Sequence, residues 1–217
     1  MSVCRKCKAR AQLKDNNFQQ ENDPKQFIQS IMHLNIIHLP HRIDRQELMK
    51  KELVEQDITD YTIWDGIINP NIIAKGISQA HKQIIKYAKD KELEEVLVAE
   101  DDFKFTDKGA FKYFLENKPS DYDIYLSSIY FGEITDGNIV EDFSGLTFYI
   151  IHKRFFDTFL SMTEHDNLDR SLRKKGKYIV CNPFTVIQQN GFSDNKKEYC
   201  DYSNYLKNRK LYTNSYT

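Results

Sequence analysis

The chain has no excess of charge of either sign, since 31 lysines and arginines stand against 32 aspartates and glutamates in 217 residues. Without a net field to draw in a polyanion, nucleic acid is not expected as a partner, and any anionic ligand has to be met by a local group of side chains. Long apolar runs are lacking too. No stretch approaches the roughly 18 residues of a membrane span, and the opening residues, MSVCRKCKAR, have no apolar core of a secretory signal. A soluble, cytoplasmic protein is the expectation. Cysteine is scarce: Cys4, Cys7, Cys181 and Cys200 in a chain of this length read as reduced thiols, not as a disulfide framework. Cys4 and Cys7 form one C-x-x-C, half of a zinc site, with no second pair to close it. Internal repeats and low-complexity runs are absent as well.

What is present is enough chain for one sizeable core. Residues 1–25 are polar and aperiodic and read as a leader; 26–197 alternate strand and helix; 198–217 form an aromatic and basic tail. A strand over 31–39 ends at Pro40. A helix over 45–56 follows, with Leu48, Met49 and Leu53 inward, Asp44 as N-cap and Glu47 as its capping-box partner. Residues 57–68 read as a strand and turn, closed by Asp65-Gly66. Within 71–89 the main part of a helix is expected to open at Ser78, with Ala80, Ile84 and Ala88 inward and His81 in its first turn. Further on, the pattern predicts helices over 107–117, 153–162 and 167–174, strands over 122–128, 146–151 and 177–180, a hairpin turn at Asp136-Gly137, and an extended segment over 183–189.

The chemistry gathers where a short apolar run, Val96-Leu97-Val98-Ala99, stops at Glu100-Asp101-Asp102. A chain this acidic holds such a triplet by chance about 0.7 times, so its position carries the weight. Carboxyl ends of strands face the ligand crevice in open α/β sheets, and hard oxygen ligands there suit Mg2+ or Mn2+ carrying a phosphorylated substrate. Alternatively the acids are solvated ahead of a helix capped by Asp107. Arg42 and Arg45 lie at a strand-to-helix turn, where guanidiniums hold a phosphate or a uracil, or simply cover a helix surface. His81, near a positive helix end that disfavours imidazolium, either donates to a phosphate or sugar oxygen or packs against a backbone partner. In the tail, Tyr199, Tyr202 and Leu206 stand at helical spacing beside Lys207, Arg209 and Lys210, which suits a docked helix or peripheral contact with the inner face of a membrane.

Four segments taken in order resemble glycosyltransferase family 25, which holds bacterial lipooligosaccharide galactosyltransferases and collagen-modifying galactosyltransferases. His38-Leu39-Pro40-His41-Arg42-Ile43-Asp44-Arg45 resembles the family's N-L-D-R-R-x-D-R, and Gly76-Ile77-Ser78-Gln79-Ala80-His81 its G-C-x-x-S-H. Val96 through Asp102 is similar to L-I-L-E-D-D, and Asp169 with Gln188 and Ser193 to the late D-x-x-L and Q-x-x-x-x-S-D region. His38, Pro40, Ile77 and Ala80 depart from the pattern. The resemblance implies a GT-A-like α/β fold, a mixed central sheet flanked by helices. It further implies inverting transfer of a hexose, galactose above all, from a UDP-sugar donor to a glycan, lipid-linked glycan or protein acceptor. Leu39, Arg42, Arg45, Gly76, His81, Asp101 and Gln188 would then meet the nucleotide sugar, and Glu100 and Asp102 would hold Mn2+ or Mg2+. Asp169 would be the general base, with Asp166 the second candidate. A GT-A-like protein that binds nucleotide sugar without turnover, and a metal-dependent phosphohydrolase, are the competing readings.

Overall fold

Seven strands form one mixed sheet in the computed structural model, which describes residues 32–164 and 167–216. In chain order the strands are β1 (Leu34–His38), β2 (Tyr61–Asp65), β3 (Glu95–Glu100), β4 (Phe103–Phe105), β5 (Ile124–Leu126), β6 (Phe131–Gly132), β7 (Ile139–Val140), β8 (Phe143–Ser144), β9 (Phe148–His152), β10 (Tyr178–Val180), β11 (Val186–Gln188), β12 (Gly191–Ser193) and β13 (Glu198–Cys200). The helices are α1 (Ile43–Glu55), α2 (Ile73–Asp90), α3 (Ala110–Glu116), α4 (Phe156–Ser161), α5 (Leu168–Ser171) and α6 (Ser203–Leu206). Sheet order is β2-β1-β3-β9-β5-β10-β7. β1 is parallel to both β2 and β3, and β10 is parallel to β5. β9 runs antiparallel between β3 and β5. This is the mixed, helix-flanked α/β architecture the sequence led us to expect.

The central strand shows why. Val96 and Val98 pack with Ile84, Ile85 and Ala88 of α2 on one face; Leu97 and Ala99 pack with Met49 and Leu53 of α1 and Phe114 of α3 on the other. A strand covered on both faces needs an unbroken apolar run, and each fully buried aliphatic side chain contributes about 1.5–3 kcal/mol. β2, at the edge, leaves Tyr61 and Ile63 exposed. Cys181 and Cys200 are buried free thiols.

Several local expectations need correction. α2 is continuous from Ile73, so Ser78 is a buried interior residue and not an N-cap, and His81 sits mid-helix. The helix is started upstream instead, where the Asn69 carboxamide oxygen accepts from the backbone N–H groups of Asn71 and Ile72. Asp44 does not cap α1. It lies inside the helix and its carboxylate accepts two bonds from the Arg42 guanidinium, at 2.9 and 2.7 Å. Leu48 is 45 % exposed, and the inward face of α1 is Met49, Glu52 and Leu53. Asp107 does not cap α3, which begins after Gly109 in the left-handed region; Asp107 accepts from the N–H groups of Lys108 and Asn214. The tail is not one amphipathic helix: Tyr199 belongs to β13, α6 is a single turn, Tyr202 is buried and Leu206 packs on the core. No described helix is long and apolar enough to cross a membrane. Residues 1–25, with Cys4 and Cys7, and also Asp166, lie outside the described residues.

Gly76 is fixed by sterics. A Cβ there would lie 2.2 Å from the Ile67 carbonyl oxygen and 2.9 Å from the Asn69 nitrogen, both backbone atoms that cannot step aside. Gly76→Ala should therefore lower stability by about 2 kcal/mol, although alanine is the better helix former by about 1 kcal/mol. A denaturant midpoint equal to or above that of the wild type would contradict this.

Candidate active site

A cleft of about 570 Å³ opens where β1, β2 and β3 end, the edge at which a parallel sheet presents its ligand crevice. The loops after β1 and β2 form one wall with α2. The acids after β3 form the floor, and the far wall comes from Tyr130, Ser144, α5 and the turn between β12 and β13.

The floor is not solvated. Asp101 is 4 % exposed and Asp102 5 %. Burying carboxylates costs several kcal/mol each unless they are paired, and the partners of these two come from three different elements. Register places Ile37 opposite Glu100, so the next residue, His38, reaches Asp101, with Nδ1 2.7 Å from Oδ2. Arg45, one turn into α1, lies 2.7 Å from the other Asp101 oxygen and 3.1 Å from Asp102 Oδ2. Gln188 of β11 donates to the same Asp102 oxygen at 2.8 Å. Among the described residues, the buried Asp102 Oδ1 has no hydrogen-bond partner. Burial pushes the Asp102 carboxyl up to about 7, against the pull of Arg45, with the Glu100 and Asp101 charges adding to the rise.

Glu100, a quarter exposed, behaves differently. Burial is the largest single influence and works against its charge, but the bond from His81, the Arg45 charge and a bond from Thr147 together outweigh it and hold the carboxyl below its usual range. His81 is 1 % exposed and bridges two groups: Nε2 is 3.1 Å from Glu100 Oε1 and Nδ1 is 2.9 Å from the Tyr149 hydroxyl. Burial keeps the Tyr149 phenol protonated. The ionised Glu100 can only accept, so the Nε2 facing it carries a proton and donates, while the Tyr149 hydroxyl pairs with Nδ1.

Asp169, in the first turn of α5, faces the cleft. Its carboxylate accepts from the backbone N–H of Gly145 at 3.1 Å and of Arg170 at 2.8 Å. Burial, reinforced by the Glu100 charge, raises its pKa above the ordinary aspartate value.

Of the residues singled out from the sequence, Leu39, Arg45, His81, Glu100, Asp101, Asp102, Asp169 and Gln188 meet in this cleft. Arg42 and Gly76 do not line it. The Arg42 guanidinium is taken by Asp44, by Asp194 at 2.5 Å and by the Phe192 carbonyl at 3.2 Å, so it fastens α1 to the β12–β13 hairpin. Gly76 acts by letting the cleft-lining loop 66–69 pack on α2. Sequence reasoning missed His38, Tyr130 and Tyr149 and gave Tyr202 a different role. Tyr149 sits in an apolar strand and nothing in its periodicity separates it from core.

Among the described residues no group of three or more His, Cys, Asp or Glu side chains is disposed to hold a metal ion by itself. No protein-family model matches the chain, and no curated protein matches it in sequence. Among solved structures it is similar to HddC from Yersinia pseudotuberculosis, at 14% identity over 76% of each chain with a TM-score of 0.46. It is also similar to A197 from STIV, at 12% identity over 78% of this chain and 93% of that one, TM-score 0.46. A third is a glycosyltransferase involved in the glycosylation of the major capsid of PBCV-1, at 16% identity over 86% and 94% of the two chains, TM-score 0.43.

The Tyr149–His81–Glu100 chain has a direct test. Tyr149→Phe keeps the ring and deletes the donor to Nδ1, which should cost about 1–2 kcal/mol in chemical denaturation. It should also shift the His81 ¹⁵N resonances away from those of a single Nε2–H tautomer. Unchanged resonances would show that Tyr149 does not set the tautomer.

Proposed function

We propose that the chain is a UDP-sugar-dependent glycosyltransferase that transfers with inversion. The observation that carries this is the buried acidic floor, with Asp102 Oδ1 unpartnered, sharing one cleft with a half-buried carboxylate on a separate wall, Asp169. The four family-25-like segments support the same reading, with a hexose such as galactose as the transferred group.

Glu100 and Asp102 suit Mn2+ or Mg2+. Their oxygens are hard donors, three carboxylates stand against the single Arg45 guanidinium, and cations of this kind are commonly bound through one or two carboxylates with substrate phosphates completing the shell. When bound, the ion would stabilise charge developing on the leaving diphosphate. Asp101 has an oxygen held by His38 and the other by Arg45, so its part is to hold Arg45 in place. His81 orients Glu100 by donating from Nε2. Leu39, Ile67, Ile73 and Ile77 supply an apolar wall that fits the flat base. Asp169 takes the proton of the acceptor hydroxyl as that oxygen attacks the anomeric carbon from the face opposite the diphosphate.

The deciding measurement is a panel of nucleotide sugars, with and without Mn2+, read out as free UDP. Metal-dependent UDP release is expected, and Asp102→Asn should abolish the metal dependence. Nucleotide-sugar binding without turnover, or phosphate release from simple esters instead, would overturn the proposal.

The base generates its own prediction. Asp169→Asn should leave donor affinity nearly unchanged and lower kcat by about 10² to 10⁴. Because the carboxyl must be ionised to accept a proton and burial raises its pKa, wild-type kcat should fall with decreasing pH through a value above that of an ordinary aspartate. Asp166→Asn, outside the described residues, is the parallel arm: loss of rate there, with full rate in Asp169→Asn, would reassign the base.

A further inference from the structure

Three tyrosines stand together, and one of them, Tyr130, lies near Asp169. The Tyr130 and Tyr202 ring centroids are 5.5 Å apart, Tyr130 and Tyr205 6.0 Å, and Tyr202 and Tyr205 6.5 Å. Tyr130 and Tyr202 line the cleft, and Tyr205, 48 % exposed, extends the cluster outward.

The cluster is built in register with the carboxylate. Gly145 has φ +120, and a Cβ there would lie 3.1 Å from both Cδ1 and Cε1 of Tyr130, so the ring packs directly on the glycine backbone and a side chain at this position would press on it. The N–H of that same glycine donates to Asp169 Oδ2 at 3.1 Å. One residue earlier, the Ser144 carbonyl accepts from the Tyr130 N–H at 3.0 Å, and the Ser144 side chain bonds Asp169. Two consecutive residues thus fix an aromatic surface and a carboxylate relative to each other. Tyr202 is brought in by the tail, whose turn is pinned where the Asn190 side-chain oxygen accepts from the Tyr202 N–H at 2.8 Å.

We propose that this tyrosine cluster is the acceptor subsite and that it takes a pyranose ring, so that the acceptor is a glycan. The inference rests on the transferase reading for the word acceptor, but its ligand chemistry follows from the cluster. A pyranose offers one apolar face of axial C–H bonds and a rim of hydroxyls. Aromatic rings with polar edges match that face, and a neighbouring carboxylate takes one hydroxyl of the rim. A hydroxyl on a protein side chain such as serine has no ring face to cover the tyrosines.

Saturation-transfer NMR on the full chain tests this, with and without UDP and Mn2+. The probes are methyl β-D-galactopyranoside, methyl β-D-glucopyranoside and, as an acyclic polyol of like hydroxyl content, galactitol. We expect the pyranosides to bind through the protons of one ring face and galactitol not to bind. Tyr130→Ala should weaken pyranoside binding about tenfold and Tyr130→Phe should keep it. Tyr205→Ala, at an exposed position, should weaken it less and guards against a misfolded Tyr130→Ala. The subsite is overturned if galactitol binds equally well, if neither alanine variant changes affinity, or if no pyranoside binds under either condition. Calorimetry with UDP separates the two readings. UDP binding with no pyranoside binding removes the subsite alone; Tyr130-dependent pyranoside binding with no UDP binding keeps the subsite and removes the transferase reading.

Discussion

Three consecutive carboxylates at the end of a buried strand are the constraint on which this structure turns. Each would cost several kcal/mol to bury unpaired, and one arginine cannot neutralise three. The chain meets the problem by drawing in a partner from almost every neighbouring element: His38 from the end of β1, Arg45 from α1, His81 from α2 and Gln188 from β11. Those contacts tie the helices and the short β4–β11 ladder to the strand ends, so the arrangement of the cleft and the burial of the acids are one problem with one solution. Asp102 is left least satisfied, with an unpartnered buried oxygen and a carboxyl pushed toward neutrality. A buried, incompletely satisfied carboxylate costs stability, and groups of this kind concentrate at functional sites.

The antiparallel strand in the middle of an otherwise largely parallel half-sheet has a related consequence. Because β9 enters from the cleft edge, its approach segment, Ser144 to Thr147, lies beside the acids and not at the opposite end of the sheet. The Thr147 carbonyl accepts from the Glu100 N–H at 2.8 Å, and Tyr149, two residues on, reaches His81. A parallel strand in that position would have delivered a crossover loop there instead.

Much of this was legible in the sequence. The β3 run was plain because a doubly covered strand must be apolar throughout, and the acids that end it stood out against it. Arg42 and Arg45 show the limit. They are the same residue type three positions apart, yet one reaches the floor of the cleft and the other is consumed by Asp44 and Asp194. Asp44, close by in sequence, takes two of the Arg42 nitrogens and Asp194, far along the chain, takes the third, while Arg45 reaches Asp101. Ser78 misled for a different reason: it has the chemistry of a cap, but burial of the whole face of α2 from Gly76 onward overrode local preference. Tyr202 fell on a helical spacing that a strand and a tight turn interrupt.

The two walls of the cleft are made in different ways, and this bears on how such a site can change. The strand-end wall is coupled through buried charge: altering Asp101 disturbs His38 and Arg45, and altering Arg45 disturbs Asp101, Asp102 and the Phe192 carbonyl. Variation there is propagated through several elements and penalised at each. The opposite wall depends on Gly145, which admits one ring and binds one carboxylate, and on a tail that is hydrogen-bonded at its surface and packed inward through Tyr202, Leu206 and Tyr212. Of its aromatic side chains Tyr205, 48 % exposed, is the one that can be exchanged with only local effect. On the proposed reading, in which the first wall holds the nucleotide and the second the acceptor, buried charge makes donor recognition rigid and leaves the exposed Tyr205 edge as the place where acceptor recognition can vary.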